Sequence, residues 1–393
     1  MPGSRSSSDQ LKLEFESGSR FNYYPLLDLT KVFIFPAQIY PVARCLYCLL
    51  CVQIPFCALL FLIEALFYKI LYFLQLIQNR TNLTANTIFI LLGFSDHPEL
   101  QMLLFLAFLT IYMLTVAGNL IIVVLVVSDE HLHTPMYFFL GNLSCLEICY
   151  TSTILPRLLF SLLTGDRIIS VHGCMGQYLF FVVLAVAECY LLAVMSYDRY
   201  LAICKPLRYT SLMNSRVCIW LIAISWMSGL LNVSIVTSLL WQLMFCGPNK
   251  IEHFFCDLAP MLKLSCSNTD LAELVIFIFS SINTVLPFLL TLISYINIII
   301  TILQMKTKAS RQKAFSTCSS HLAVVILFYG SLICVYVLPE TTMLKGLHRI
   351  FSLFYTVYTP MLNPFIYSLR NREVKAAFFR TATKIVNIAL TFP

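Results

Sequence analysis

Seven long apolar segments follow one another after residue 100. They run over Met102–Val127, Tyr137–Phe160, Cys174–Cys204, Val217–Leu240, Leu274–Leu303, Ala314–Leu338 and Ile350–Leu369. Most hold at least 18 residues without a charge, and none alternates polar with apolar as a barrel strand would. About 20 apolar residues cross a bilayer as a helix. An unpaired backbone amide in hydrocarbon costs several kcal/mol, so such segments must satisfy their own amides as helices. A large soluble protein could also bury seven apolar helices, but it needs polar sequence to coat them. Only 11% of the residues are charged and 59% are hydrophobic, against about 25% charged in ordinary soluble domains. The expected fold is an all-α membrane protein, a seven-transmembrane helix bundle.

The connecting loops orient the bundle. Arg199, Lys205, Arg208 and Arg216 lie between spans three and four, and Lys306, Lys308, Arg311 and Lys313 between five and six. Arg370, Arg372, Lys375, Arg380 and Lys384 follow span seven. The opposite loops hold Arg80, Arg157, Arg167, Lys250, Lys263, Lys345 and Arg349, so the count is thirteen against seven. Positive charge stays on the cytoplasmic side. The segment before Met102 is then outside and the C-terminus inside. The net charge of +7 reflects these loops and implies no nucleic-acid partner. Asn79 and Asn82 head two glycosylation sequons on the outer side. The chain divides into an extension, 1–78, a seven-helix bundle, 79–369, and a tail, 370–393. The extension carries an apolar stretch at 45–77 and reads as a helical, membrane-associated addition. Basic residues beside Val374, Ala376, Ala377, Phe378 and Phe379 in the tail read as a short amphipathic helix on the inner leaflet.

Four of the fifteen cysteines lie on the outer side: Cys174, Cys246, Cys256 and Cys266. An even number in an oxidising compartment suggests two disulfides, and the residues alone leave three pairings open. His253, Cys256 and Asp257 also have the donor types of a zinc or copper site. Oxidation of Cys256 would remove its thiolate, and that bland reading is preferred.

Few polar groups lie inside the spans, and each is a functional candidate by default. Glu147 is in span two, Glu188 in span three, Asn119 in span one, and Asn363 and Tyr367 in span seven. Such a set could hold a sodium ion, waters or protons, relay ions as in a transporter, or simply pack the helices. None of the seven histidines forms a His-Glu-x-x-His pair, and there is no phosphate-binding glycine loop or Gly-x-Ser-x-Gly elbow. No enzyme and no resident cofactor is expected.

Several stretches coincide with one family. They are Gly118-Asn119; Leu132-His133-Thr134-Pro135-Met136-Tyr137 entering span two; Met195-Ser196-Tyr197-Asp198-Arg199-Tyr200 closing span three; Ser294-Tyr295; Lys313-Ala314-Phe315-Ser316-Thr317-Cys318-Ser319-Ser320-His321-Leu322 opening span six; Phe328-Tyr329-Gly330; and Pro360-Met361-Leu362-Asn363-Pro364-Phe365-Ile366-Tyr367. From about Asn79 onward the chain resembles an olfactory receptor of the rhodopsin-like G-protein-coupled class. It departs from that pattern in its long N-terminus, in Leu338 where Arg is frequent, and in His348 where Asp is frequent.

The resemblance implies a receptor that takes a small, mostly apolar volatile into the outer half of the bundle. It then activates a heterotrimeric G protein of the stimulatory, olfactory type to raise cAMP. It implies a ligand site at Phe181, Val182, Ala185, Val186, Asn283, Thr284, Tyr329, Ile333 and Tyr336. It makes Asp198-Arg199-Tyr200 a resting-state latch for the G-protein face. It pairs Cys174 with Cys256, which leaves Cys246 for Cys266. Membrane lipid is the remaining partner, and the plasma membrane the expected location.

Overall fold

In a computed structural model, residues 88–94, 98–240, 242–246, 249–336, 345–370 and 372–391 are described. Asn79, Asn82, the extension and Leu338 lie outside these residues. Helix α1 spans Pro98–Ser128, α2 Pro135–Thr164, α3 Val171–Cys204, α4 Ser215–Leu240, α5 Asp270–Gln304 and α6 Lys308–Tyr336. Each of the six is long and apolar enough to cross a membrane. The seventh, α7, is made of three contiguous pieces: Lys345–Leu353, a π-helical turn at Phe354–Tyr358, and Thr359–Arg370. A separate helix, α8, covers Arg372–Thr391.

The break in α7 has a local cause. Proline cannot donate a backbone hydrogen bond, and its ring crowds the carbonyl one turn earlier. Just ahead of Pro360 the ladder widens, and the Thr359 N–H bonds back to the Phe354 carbonyl, five residues away. Pro364 removes the donor that the Pro360 carbonyl would otherwise receive. Asn119 on α1 replaces it, with Nδ2 donating to Pro360 O at 3.1 Å. Beside it, Gly118 lets the Pro364 ring in close: a Cβ there would lie 3.0 Å from Pro364 Cβ. The Gly-Asn pair of span one is therefore the counterpart of the two prolines of span seven.

Helix α3 is the hub, packing against α2, α4, α5 and α6. Its approach to α4 requires Gly229, where a Cβ would sit 2.4 Å from the Val183 carbonyl oxygen. Around Phe181 the core is aromatic, with ring centroids 5.3 Å from Tyr150 and 5.2 Å from Phe255. The lipid-facing sides of the other helices stay apolar and exposed, as Leu103, Ile224 and Phe277 illustrate.

One feature departs from the all-α expectation. Strand β1 (Ile88–Leu91) pairs antiparallel with β2 (Ile168–Ser170) and parallel with β3 (Lys250–Ile251). Phe89 and Leu91 face inward and Ile88 outward. The strands are two to four residues long, too short for the alternation that marks a strand in sequence.

Candidate functional site

The end of the bundle that carries the sheet is covalently closed. Cys174, in the first turn of α3, is bonded to Cys256, and Cys246 to Cys266. Gln177, one turn into α3, donates to Thr153 O at 3.0 Å and accepts from Cys256 N at 3.1 Å. It thus joins α2, α3 and the loop. With its thiol oxidised, Cys256 is no metal ligand. His253 stacks on Phe254 and meets Phe255 edge-on. Burial, with Arg349 and His348 nearby, pushes its imidazole down to about 3, so it is neutral. Asp257 caps the short helix Leu258–Leu262 by accepting from Leu258 N at 2.8 Å.

The positions expected to face a ligand lie beneath this cover, on three helices. On α3, Phe181 and Val186 are buried and Val182 and Ala185 partly so. Asn283 on α5 donates to its own helix, at Phe279 O, 2.8 Å away, with Thr284 half-buried beside it. Ile333 on α6 is half-buried. The two tyrosine hydroxyls already have helix partners. Tyr329 donates to Cys189 O on α3 at 2.8 Å, and its ring lies against Phe288. Tyr336 exposes part of its ring, but its hydroxyl lies 3.2 Å from that of Tyr355 and donates to Asp257 at 3.4 Å. Sequence reasoning missed Tyr355. It sits inside the π-helical turn of α7, and nothing in the linear pattern shows which side of such a turn faces inward.

Deeper in the bundle lie the buried polar groups. Asn363 donates to a Glu147 carboxyl oxygen, joining α7 to α2. Asn119 holds the α7 backbone, as described above, and donates also to Thr115 O at 3.0 Å. Glu188 on α3 is fully buried, and among the described residues neither of its carboxyl oxygens has a hydrogen-bond partner. The structure places it within electrostatic reach of Glu147, Tyr150 and Tyr367. The second Glu147 oxygen and the hydroxyls of Tyr150 and Tyr367 are likewise without partners there. A buried carboxyl cannot stay ionised and unpartnered at bearable cost. This group of atoms has the chemistry to take a proton, waters or a small hard cation. Among the described residues no cluster of three or more histidine, cysteine or acidic side chains is set to hold a metal ion.

The opposite end of α3 is held without covalent bonds. Arg199 donates from Nε to Asp198 Oδ2 at 3.1 Å, with a second guanidinium nitrogen on the same oxygen. Tyr209, in the one-turn helix Tyr209–Leu212, donates to Asp198 Oδ1 at 2.8 Å. Burial and the adjacent Asp198 carboxylate raise the Tyr209 phenol above its usual range, so it remains a donor. The Asp198 side chain is only 1% exposed and that of Arg199 11%, so this is no solvated surface pair. Tyr200 stacks with Tyr197 and carries Lys205 over its ring. A second pair lies beside it: the Tyr295 hydroxyl on α5 and His321 Nδ1 on α6 are 2.6 Å apart and buried.

The profile of the olfactory receptor family matches residues 108–384. The chain belongs to the olfactory receptor family. It is 49% identical over 299 residues to olfactory receptor 5B21 of Mus musculus, covering 76% of this chain and 94% of that one. It is 48% identical over 307 residues to olfactory receptor 5B12 of Homo sapiens, covering 78% and 97%. With olfactory receptor 10C1 of Homo sapiens it shares 52% over 305 residues, covering 78% and 98%. This receptor is therefore a multi-pass plasma-membrane protein with an odorant as its ligand and a G protein as its partner, and it is not an enzyme. Asp198, Arg199 and Tyr200 stand at the foot of the central helix α3. Tyr209, which joins the ion pair from the following loop, was not singled out by the sequence.

Proposed function

We propose that the receptor binds a small, mostly apolar volatile among α3, α5, α6 and α7 at the disulfide-closed end. It then activates a G protein of the stimulatory, olfactory type at the Arg199 end, raising cAMP. In this reading the disulfide-closed end faces outward and the C-terminus is cytoplasmic, in keeping with the loop charges. Phe181, Val182, Ala185, Val186, Asn283, Thr284, Tyr329, Ile333 and Tyr336 form the ligand surface. A volatile is recognised by desolvation and shape, and the apolar face of α3 supports that.

The observation that carries the reading is the buried Asp198–Arg199 pair, completed by Tyr209, at the one end of α3 that is not stapled. Ligand binding shifts the bundle only by its different affinity for the latched and released states. Release frees the Arg199 guanidinium for the G protein. Glu147, Glu188, Asn119, Asn363 and Tyr367 form the polar cluster between the two ends. A sodium ion or a shared proton near Glu147 and Glu188 would neutralise it at rest. Helix α8 lies on the inner leaflet, with lipid as its partner.

The test is cAMP production in cells expressing the full chain, and a form starting near residue 78, against an odorant panel. Arg199→Ala is expected to abolish the response while surface expression stays measurable. An unchanged response in that variant refutes the assignment.

A further inference from the structure

Helix α8 is fastened to the receptor at two points. Near its start, Tyr137 at the opening of α2 donates its hydroxyl to Glu373 Oε2 at 2.8 Å. Seven residues later, Arg380 donates from Nε to Asp129 Oδ2 at 2.8 Å, with a second guanidinium nitrogen at 2.7 Å. Asp129 lies in the α1–α2 connection, where it also caps the 3₁₀ turn Glu130–Leu132 and contacts His131 Nδ1 at 2.9 Å. Burial alone would raise its carboxyl, but the bonds from Arg380 and His131 hold it below the usual carboxylate range. Asp129 and Tyr137 are buried, so both partners on the receptor side are rigidly placed.

Seven residues are two helical turns, about 10 Å along the axis. Two ties at that spacing on one face fix both the direction of α8 and its rotation, whereas one tie would leave a swivel. Val374 and Ala377 are buried on the fastened face. The opposite face presents Lys375, Phe378 at 47% exposure and Phe379 at 70%. Those rings stand clear of the bundle, so whether they meet water or lipid depends on how α8 is turned about its axis.

We propose that Tyr137–Glu373 and Asp129–Arg380 form a clasp that sets the rotation of α8, so that Phe378 and Phe379 enter the inner leaflet. The four residues are positioning residues, and the proposal rests on the reading that α8 lies on that leaflet.

The test uses Phe379→Cys in the full chain, in inside-out plasma-membrane vesicles. Its labelling by a membrane-impermeant maleimide is measured above the background of the chain without the substitution. With the clasp intact, the introduced thiol is expected to label slowly. Arg380→Glu should raise the rate at least fivefold, and the exchange of Asp129→Arg with Arg380→Asp should restore slow labelling. Where Arg380→Glu is retained inside the cell, Tyr137→Phe removes a single hydroxyl and makes the same comparison. Slow labelling in every variant overturns the clasp and leaves the leaflet placement intact. Opened variants that the charge exchange does not rescue also overturn it. Fast labelling in the parent overturns the leaflet placement itself, and the proposal with it.

Discussion

The two ends of α3 are built from opposite materials. At Cys174 the helix is tied by a covalent bond, by Gln177 and by a loop folded over it. At Asp198 it is held by an ion pair and one phenol. A helix anchored at both ends by disulfides could not carry a change across the bilayer. One held at neither would have no fixed frame for a ligand to push against. The contrast is also one of reversibility. A disulfide contributes a few kcal/mol and does not open during signalling. A buried pair is worth little beyond its desolvation cost, so the balance between its closed and open forms is easily tipped.

The largest effect should come from breaking the covalent end. Cys256→Ser removes the staple and frees Cys174 within the first turn of α3. A cost of about 2–5 kcal/mol is expected, read as loss of surface receptor and of thermal stability in detergent. Near-normal surface density and an unchanged melting temperature would mean that Gln177 and the sheet suffice to hold that end.

Next in size is the contact that seats α3 between its ends. Gly229→Ala places a methyl 2.4 Å from the Val183 carbonyl oxygen, which is backbone and cannot rotate away. Separating α3 from α4 should cost about 1–3 kcal/mol. Thermal stability is expected to fall, together with both ligand response and expression. A fall in response alone, with stability intact, would place the effect in signalling rather than packing.

These two sites show what could be read from the sequence and what could not. The spans were legible because hydrocarbon imposes one backbone solution, and their ends fall within a few residues of the observed helices. The Gly118-Asn119 pair and the span-seven prolines were legible as motifs, but their mutual fit was not, since it depends on which faces meet. Gly229 carried no signal at all, because an apolar helix gives no sign of where its neighbour's backbone will lie. The strands Ile88–Leu91, Ile168–Ser170 and Lys250–Ile251 were invisible for want of length. Glu147 and Glu188 were both singled out by cost, yet one has an amide partner and the other has none among the described residues. Cost shows that a buried charge needs a reason and does not say which neighbour supplies it.

Acid should weaken the disulfide-closed end selectively. His253 is buried and neutral, with its imidazole pushed from an ordinary 6.5 down to about 3. The unfolded loop takes up a proton below pH 6.5, while the folded one does not until about pH 3. Stability from this residue is therefore fully present above pH 6.5 and is lost as pH falls from there towards 3. One unit below the ordinary value the loss is about 1.4 kcal/mol. Thermal melts of the purified receptor at pH 7 and pH 5.5 should differ accordingly, and His253→Phe should remove most of that difference. An equal pH dependence in the His253→Phe protein would assign the effect to another group.

The smallest expected effect concerns the reversible end, and it sharpens the comparison most. Asp198 is buried with two donors, Arg199 and Tyr209. Tyr209→Phe leaves the ring and the ion pair in place and removes only the hydroxyl. One carboxylate oxygen then faces the interior without its donor, which destabilises the closed form by about 1 kcal/mol. A shift of that size moves a two-state equilibrium roughly fivefold. Basal cAMP at equal surface density should therefore rise by up to that factor, while expression and melting temperature stay near the parent values. The same change leaves every contact at the disulfide end untouched, so a loss of stability well beyond the about 1 kcal/mol of one unmet acceptor would show that the two ends are not independent. Basal cAMP that stays level or falls would mean that Tyr209 competes with Arg199 for Asp198 rather than completing the latch. The reversible end would then be a two-residue pair.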